Sequence, residues 1–216
     1  MRYTAVFFDW DGTLVDSLDV IVRAHNHVRV AFGLEPWEMV DYFGTASQSA
    51  GDLYPKIYGD KAPDAIALLY DFLGKHHLDY TAPLAGAEDL LKALKAEGVV
   101  MGVVSNKRHD VLNAEIKHMK WDRYFAAVVG AGHAARDKPN PDPLALAIKY
   151  AGLTGAPRNL LYVGDTETDL RVADGVGCDS ALLLHGRTDM GPLIDKFKPV
   201  FVTQDVPAMQ AALLSS

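Results

Sequence analysis

Two carboxylates one residue apart, Asp9 and Asp11 in Asp9-Trp10-Asp11-Gly12-Thr13, stand at the end of the apolar run Ala5-Val6-Phe7-Phe8. Alternate side chains of an extended backbone share a side, so both acids can act on one substrate. Acids this close repel unless a cation lies between them, and hard carboxylate oxygens suit Mg2+. One carboxylate could then attack phosphorus while the other moves a proton at the leaving oxygen. A pair of solvated turn acids would look the same locally, because Asp and Gly are ordinary turn residues.

Three further stations carry matching chemistry. Ser105-Asn106 follows the apolar run Val99 to Val104 and offers a hydroxyl and an amide to a phosphate oxygen, although Ser-Asn is also a common strand-ending turn. Lys138, in Asp137-Lys138-Pro139-Asn140-Pro141, is a solvated loop charge or the positive group that holds an anionic ester against a carboxylate. In Gly164-Asp165-Thr166-Glu167-Thr168-Asp169 two acids lie four residues apart, about one helical turn, and so share a face. An acidic helix start capped by Thr166 accounts for Glu167 and Asp169 without chemistry, but less readily for Asp165.

The elements that must position these groups follow from the pattern. Apolar runs at 5–8, 99–104, 125–130, 160–163, 180–184 and 200–203 alternate with helical stretches at 88–97, 109–119, 140–152 and 168–176. Asn140 and Pro141 are expected to open the third of these. That alternation predicts an α/β fold, a doubly wound parallel sheet with ligands beyond the carboxyl ends of its strands. From Val15 to about Thr81 the punctuation differs. Val20, Ala24, Val28 and Ala31 recur at helical spacing up to Gly33, a second helix is expected near Pro36, and a third over Ala62 to Gly74, which should end it. The expected division is a core of 1–15 and 82–216 with an inserted helical unit of 16–81.

Composition narrows the function classes. The chain has 216 residues, 49% of them hydrophobic, enough for a packed interior. A net charge of -7 without a basic stripe argues against nucleic-acid or anionic-membrane partners. No apolar run approaches the roughly 20 residues that span a bilayer, and the N-terminus lacks a signal layout, so a cytoplasmic location is expected. The single cysteine, Cys178, reads as a small buried filler. His76-His77 reads as solvated surface, His185-Gly186-Arg187 as a polar turn, and His25 as a helix residue that could meet a substrate.

Asp9-Trp10-Asp11-Gly12-Thr13-Leu14-Val15-Asp16-Ser17 resembles the first motif of the haloacid dehalogenase superfamily, most closely its phosphoglycolate phosphatase-like branch. Ser105, the K-P-x-P layout at Lys138 and the G-D-x-x-x-D run from Gly164 to Asp169 match the later motifs in order, so the resemblance covers nearly the whole chain. It implies a Rossmann-like core with an inserted all-helical cap of the C1 type, the loop around Gly44 and Thr45 facing the substrate. Asp9 would be the nucleophile that forms an aspartyl-phosphate, and Asp11 the general acid/base. Thr13, Ser105, Asn106 and Lys138 would hold the phosphate, and Asp9, Asp11, Asp165 and Asp169 the Mg2+. Relatives that dehalogenate carry Tyr at the place of Asp11, and those that hydrolyse phosphonoacetaldehyde carry Ala, so Asp11 points to phosphate esters. The expected protein is an Mg-dependent phosphatase of a small phosphorylated metabolite, phosphoglycolate first among them, as a monomer or homodimer. Residues 44–48 nevertheless offer no basic group to grip the carboxylate of phosphoglycolate. Two alternatives stay open: a phosphomutase of the beta-phosphoglucomutase type, which carries a cap histidine where Ile21 stands, and a phospho-aspartate receiver, a smaller domain without D-x-D-G-T or a helical insert.

Overall fold

The computed structural model describes residues 2–38, 50–153 and 159–215. Its strands are β1 (Ala5–Phe8), β2 (Val15–Asp16), β3 (Ala82–Pro83), β4 (Val100–Arg108), β5 (Ala127–Ala131), β6 (Leu160–Gly164), β7 (Asp179–Leu183) and β8 (Phe201–Thr203). Six of them form one parallel sheet in the order β5-β4-β1-β6-β7-β8, and β2 and β3 form a separate two-stranded sheet. From β1 the chain moves outward through β4 to β5 and then crosses to β6 on the other flank of β1. A ligand crevice opens beyond the carboxyl ends of the strands at such a reversal.

The apolar run of β1 is needed because both faces of the sheet are covered. Val6 and Phe8 enter a layer with Leu90, Leu94, Met101 and Leu161, whereas Ala5 and Phe7 enter the opposite layer with Leu144, Tyr162 and Val172. Phe8 is level with Val103 of β4 and Val163 of β6, so the next rung brings Asp9, Val104 and Gly164 to the rim together. The two-residue period sends Asp9 toward the Tyr162 side and Trp10 toward the other.

The chain divides into two compact units, Met1–Asp16 with Pro83–Ser216, and Ser17–Ala82. The second unit holds helices Leu18–Ala31, Ala50–Tyr58 and Ala62–Tyr80 around Ala24, Val28, Leu53, Tyr54, Ala65 and Leu69. Gly74 does not end its helix as the sequence suggests. The buried stripe continues from Leu69 and Leu73 to His77, and an Asp71–Lys75 ion pair at 2.7 Å spans the glycine. An interior glycine costs only about 1 kcal/mol relative to alanine, which such contacts offset. His77 is therefore buried rather than solvated, while His76 stays half-exposed near Asp79. Leu34–Glu38 has no regular structure, and the remainder of the helix expected near Pro36, with the Gly44 and Thr45 loop, lies outside the described residues. Helix Asp142–Tyr150 starts two residues later than Asn140, which donates its side-chain amide to the Asp137 carbonyl at 3.0 Å and so closes the loop around Lys138 instead of capping. Among the described residues no helix is long and apolar enough to cross a membrane.

Candidate active site

Asp9 continues the Phe7 face of β1 and meets Lys138, whose Nζ donates to Asp9 Oδ1 at 2.7 Å and to Asp169 Oδ1 at 2.8 Å. The Tyr162 hydroxyl lies 3.2 Å from the same ammonium and donates to the Val104 carbonyl at 2.9 Å. Burial alone would push the Lys138 ammonium down, but Asp169 and Asp9 outweigh it and hold the charge well above the usual lysine range. Asp9 is driven the other way. Burial, then Asp169 and Asp165, raise its carboxyl well above the ordinary value against the pull of Lys138.

Asp169 anchors this group. Its Oδ2 accepts from the backbone N–H of Asp165 and Thr166 and from the Thr166 hydroxyl, which closes a capping box at the start of helix Glu167–Val176. The macrodipole reading of the sequence thus holds for the Thr166 cap, yet the other oxygen of Asp169 faces Lys138. Gly164 is required beside it, since a Cβ there would lie 2.3 Å from the Asp169 Cβ.

Asp165 follows β6 and has its carboxyl raised from 3.8 to about 7, by burial and Asp169, against Arg187 and Lys138. Its Oδ1 is buried without a hydrogen-bond partner among the described residues, as is the Thr13 hydroxyl. Asp9, Asp165 and Asp169 each bring a carboxylate oxygen within 4.8 Å of the others. An all-oxygen set with surplus negative charge and an orphaned carboxylate oxygen fits a hard dication such as Mg2+. Gly12, at φ +75°, lets the first acidic loop pass close by, because a Cβ there would stand 2.8 Å from Asp165 Oδ2.

Asp11 takes a separate position: its carboxylate is not part of that triad, and its Oδ1 accepts from Lys107 Nζ at 2.6 Å. Ser105 is buried and its Oγ accepts the Lys107 N–H at 3.0 Å, which leaves its own O–H to donate. Asn106 gives one amide hydrogen to the Lys138 carbonyl at 3.0 Å and so ties β4 to the lysine loop. Strand β4 also runs on through these residues to Arg108, with a register shift against β5, instead of stopping before Ser105.

Several neighbours escaped sequence reasoning. Arg187, read as part of a polar turn, is bonded to the Asp165 carbonyl and to its Oδ2 at 3.2 Å, and the adjacent His185 Nε2 lies 2.7 Å from the Gly12 carbonyl. Its position just past the end of β7, beside β6, was the available signal. Lys107, Glu115 and Tyr162 gave no motif. In the helical unit, His25 packs beside Trp37 and its Nδ1 lies 3.1 Å from the Tyr54 hydroxyl. Burial, with Arg29 adding, pushes its imidazole down to about 4, which makes it a neutral interior histidine.

Residues 6–183 match the family model of haloacid dehalogenase-like hydrolases. A relative from Caldanaerobacter subterraneus subsp. tengcongensis bearing the name PpaX is 30% identical over 212 residues, covering 95% of this chain and 92% of its own. A phosphoglycolate phosphatase from Pseudomonas putida is 28% identical over 214 residues, covering 94% and 77%. Among solved structures, a haloacid dehalogenase-like family hydrolase from Streptococcus pneumoniae superposes with a TM-score of 0.83 at 20% identity, over 98% and 99% of the two chains, a likeness of fold. With the family model spanning most of the sequence and both loops of the acidic triad, this chain belongs to the haloacid dehalogenase-like hydrolases.

Proposed function

We propose that this chain is a Mg2+-dependent phosphatase of small phosphorylated metabolites that works through an aspartyl-phosphate on Asp9. One observation carries the reading: a buried lysine bridges Asp9 and Asp169 beside an Asp165 oxygen that no described protein group satisfies. Asp9 and Asp165 would hold the ion, with Asp169 fixing their loops. When bound, Mg2+ supplies positive charge that lowers the repulsion between carboxylate and phosphate.

Lys138 donates to Asp9 Oδ1 and so orients the carboxylate that attacks phosphorus. The Asp9–phosphorus bond forms as the ester oxygen–phosphorus bond breaks, and Asp11 gives its proton to the departing oxygen. Water then attacks phosphorus, Asp11 takes the water proton, and inorganic phosphate leaves Asp9 free. The Lys138 ammonium and the Ser105 hydroxyl neutralise charge on the phosphoryl oxygens in both steps. The family resemblance implies that the helical unit Ser17–Ala82 would serve as a cap. The phosphoglycolate phosphatase relative supports a small anionic ester as substrate.

The test is a phosphatase assay over a metabolite panel with and without Mg2+, repeated with Asp9→Asn. Turnover should require the ion and should fall by more than about a thousandfold in the variant. Full activity of a folded Asp9→Asn protein would rule out the nucleophile.

A further inference from the structure

Trp10, the residue between the two catalytic acids, points away from them. It lies fully buried in an edge-on contact with Trp121, ring centres 5.8 Å apart, and its Nε1 donates to Glu115 Oε2 at 2.6 Å. Glu115, on helix His109–His118, has no solvent exposure. A buried carboxylate is expensive to desolvate unless it is paired and hydrogen-bonded. Its pairing is with Lys107, whose Nζ lies 3.0 and 2.7 Å from its two oxygens and 2.6 Å from Asp11 Oδ1. An ammonium has three donors. A purely structural ion pair would close on Glu115, whereas here one donor is directed at the acid that reaches the rim.

We propose that Lys107, anchored from behind by Glu115 and the Trp10 indole, is the positioning residue that aims the Asp11 carboxyl group, in its protonated form, at the leaving oxygen. The inference rests on Asp11 being the acid of the first step, as set out above. Lysine holds the tip of the side chain, glutamate holds the lysine, and tryptophan holds the glutamate from the same strand end that carries Asp9 and Asp11. Any slack in Lys107 therefore reaches the proton donor without moving Asp9, whose partner is Lys138. Burial opposes the Lys107 charge, yet Asp11 and Glu115 together raise it above the usual lysine range, so the ammonium persists at neutral pH.

Leaving groups separate this role from a structural one. The value of kcat/KM covers only steps up to expulsion of the leaving group, and p-nitrophenolate departs without a proton whereas the alkoxide of glycerol phosphate needs one. Lys107→Met alone would strand a buried glutamate, so the double variant Lys107→Met/Glu115→Leu is measured beside it, with Trp10→Phe as the mildest lesion. The double variant should lose at least about tenfold more kcat/KM on glycerol phosphate than on p-nitrophenyl phosphate, and Trp10→Phe should show the same preference more weakly. Asp11→Asn is the reference. If it shows the preferential loss while a folded double variant loses both substrates equally, or neither, the positioning role is overturned by itself. If Asp11→Asn loses both equally, the acid assignment falls and this inference with it.

Discussion

Removing the ion should make the protein sensitive to pH, and the share due to Asp165 can be isolated by substitution. Asp165 has its carboxyl raised from 3.8 to about 7 in the folded chain by burial and Asp169. Each pH unit of displacement is worth about 1.36 kcal/mol, so a displacement of about 3 gives about 4 kcal/mol. The folded state binds the proton more tightly than the unfolded chain, so this residue lowers stability as pH rises from about 4 to about 7, with no further loss above that window. Asp165→Asn has the same shape and no charge. Urea unfolding of both proteins in EDTA should therefore coincide near pH 4 and diverge above it, with the variant more stable by up to about 4 kcal/mol at pH 8. Adding Mg2+ at a hundred times its dissociation constant should stabilise the wild type by about 2.7 kcal/mol and leave the variant unmoved. A variant less stable than wild type at pH 8 in EDTA, or one that gains equally from Mg2+, would refute the reasoning.

Backbone tolerances give three smaller tests. Gly12→Ala puts a side chain at φ +75° and 2.8 Å from Asp165 Oδ2, so Mg2+ affinity by titration should weaken at least about tenfold and stability fall by about 1–2 kcal/mol. Gly164→Ala sets a Cβ 2.3 Å from the Asp169 Cβ, and thermal unfolding should show a loss of about 1–3 kcal/mol. Thr166→Val removes the hydroxyl that caps helix Glu167–Val176, which should cost about 1 kcal/mol in denaturant unfolding while p-nitrophenyl phosphate turnover falls because Asp169 loses a bond.

The sheet was legible because parallel strands covered on both faces must be apolar runs, and Ala5-Val6-Phe7-Phe8 and Leu160-Leu161-Tyr162-Val163 have no competing pattern. Asp9 and Asp165 were legible as acids at strand ends and Lys138 through the K-P-x-P layout of its loop, and the fold brings the three together. Helix limits were harder. Gly74 was read by its local preference and overruled by His77 packing one turn later, and Asn140 was read as a cap when a turn back to Asp137 took its amide. Helix Val206–Leu214 passed unread although Asp205 caps it, accepting from Ala208 N–H at 2.8 Å, with a proline in its first turn. Arg187, Glu115 and Lys107 were illegible for another reason. Arg187 meets Asp165 across 22 residues, Lys107 meets Asp11 across 96 and Glu115 meets the Trp10 indole across 105, and no short-range rule connects side chains at those separations.

The two-residue period of β1 makes the strand indifferent to which apolar residue it carries and intolerant of how many. Val6 could be isoleucine and Phe7 leucine with the acids still in place. One residue added or deleted between Ala5 and Asp9 would rotate the strand end by half a turn, drop a carboxylate into the indole layer beside Trp121 and Phe125, and present Trp10 to Lys138. Length, more than composition, is what natural variation in this strand must preserve.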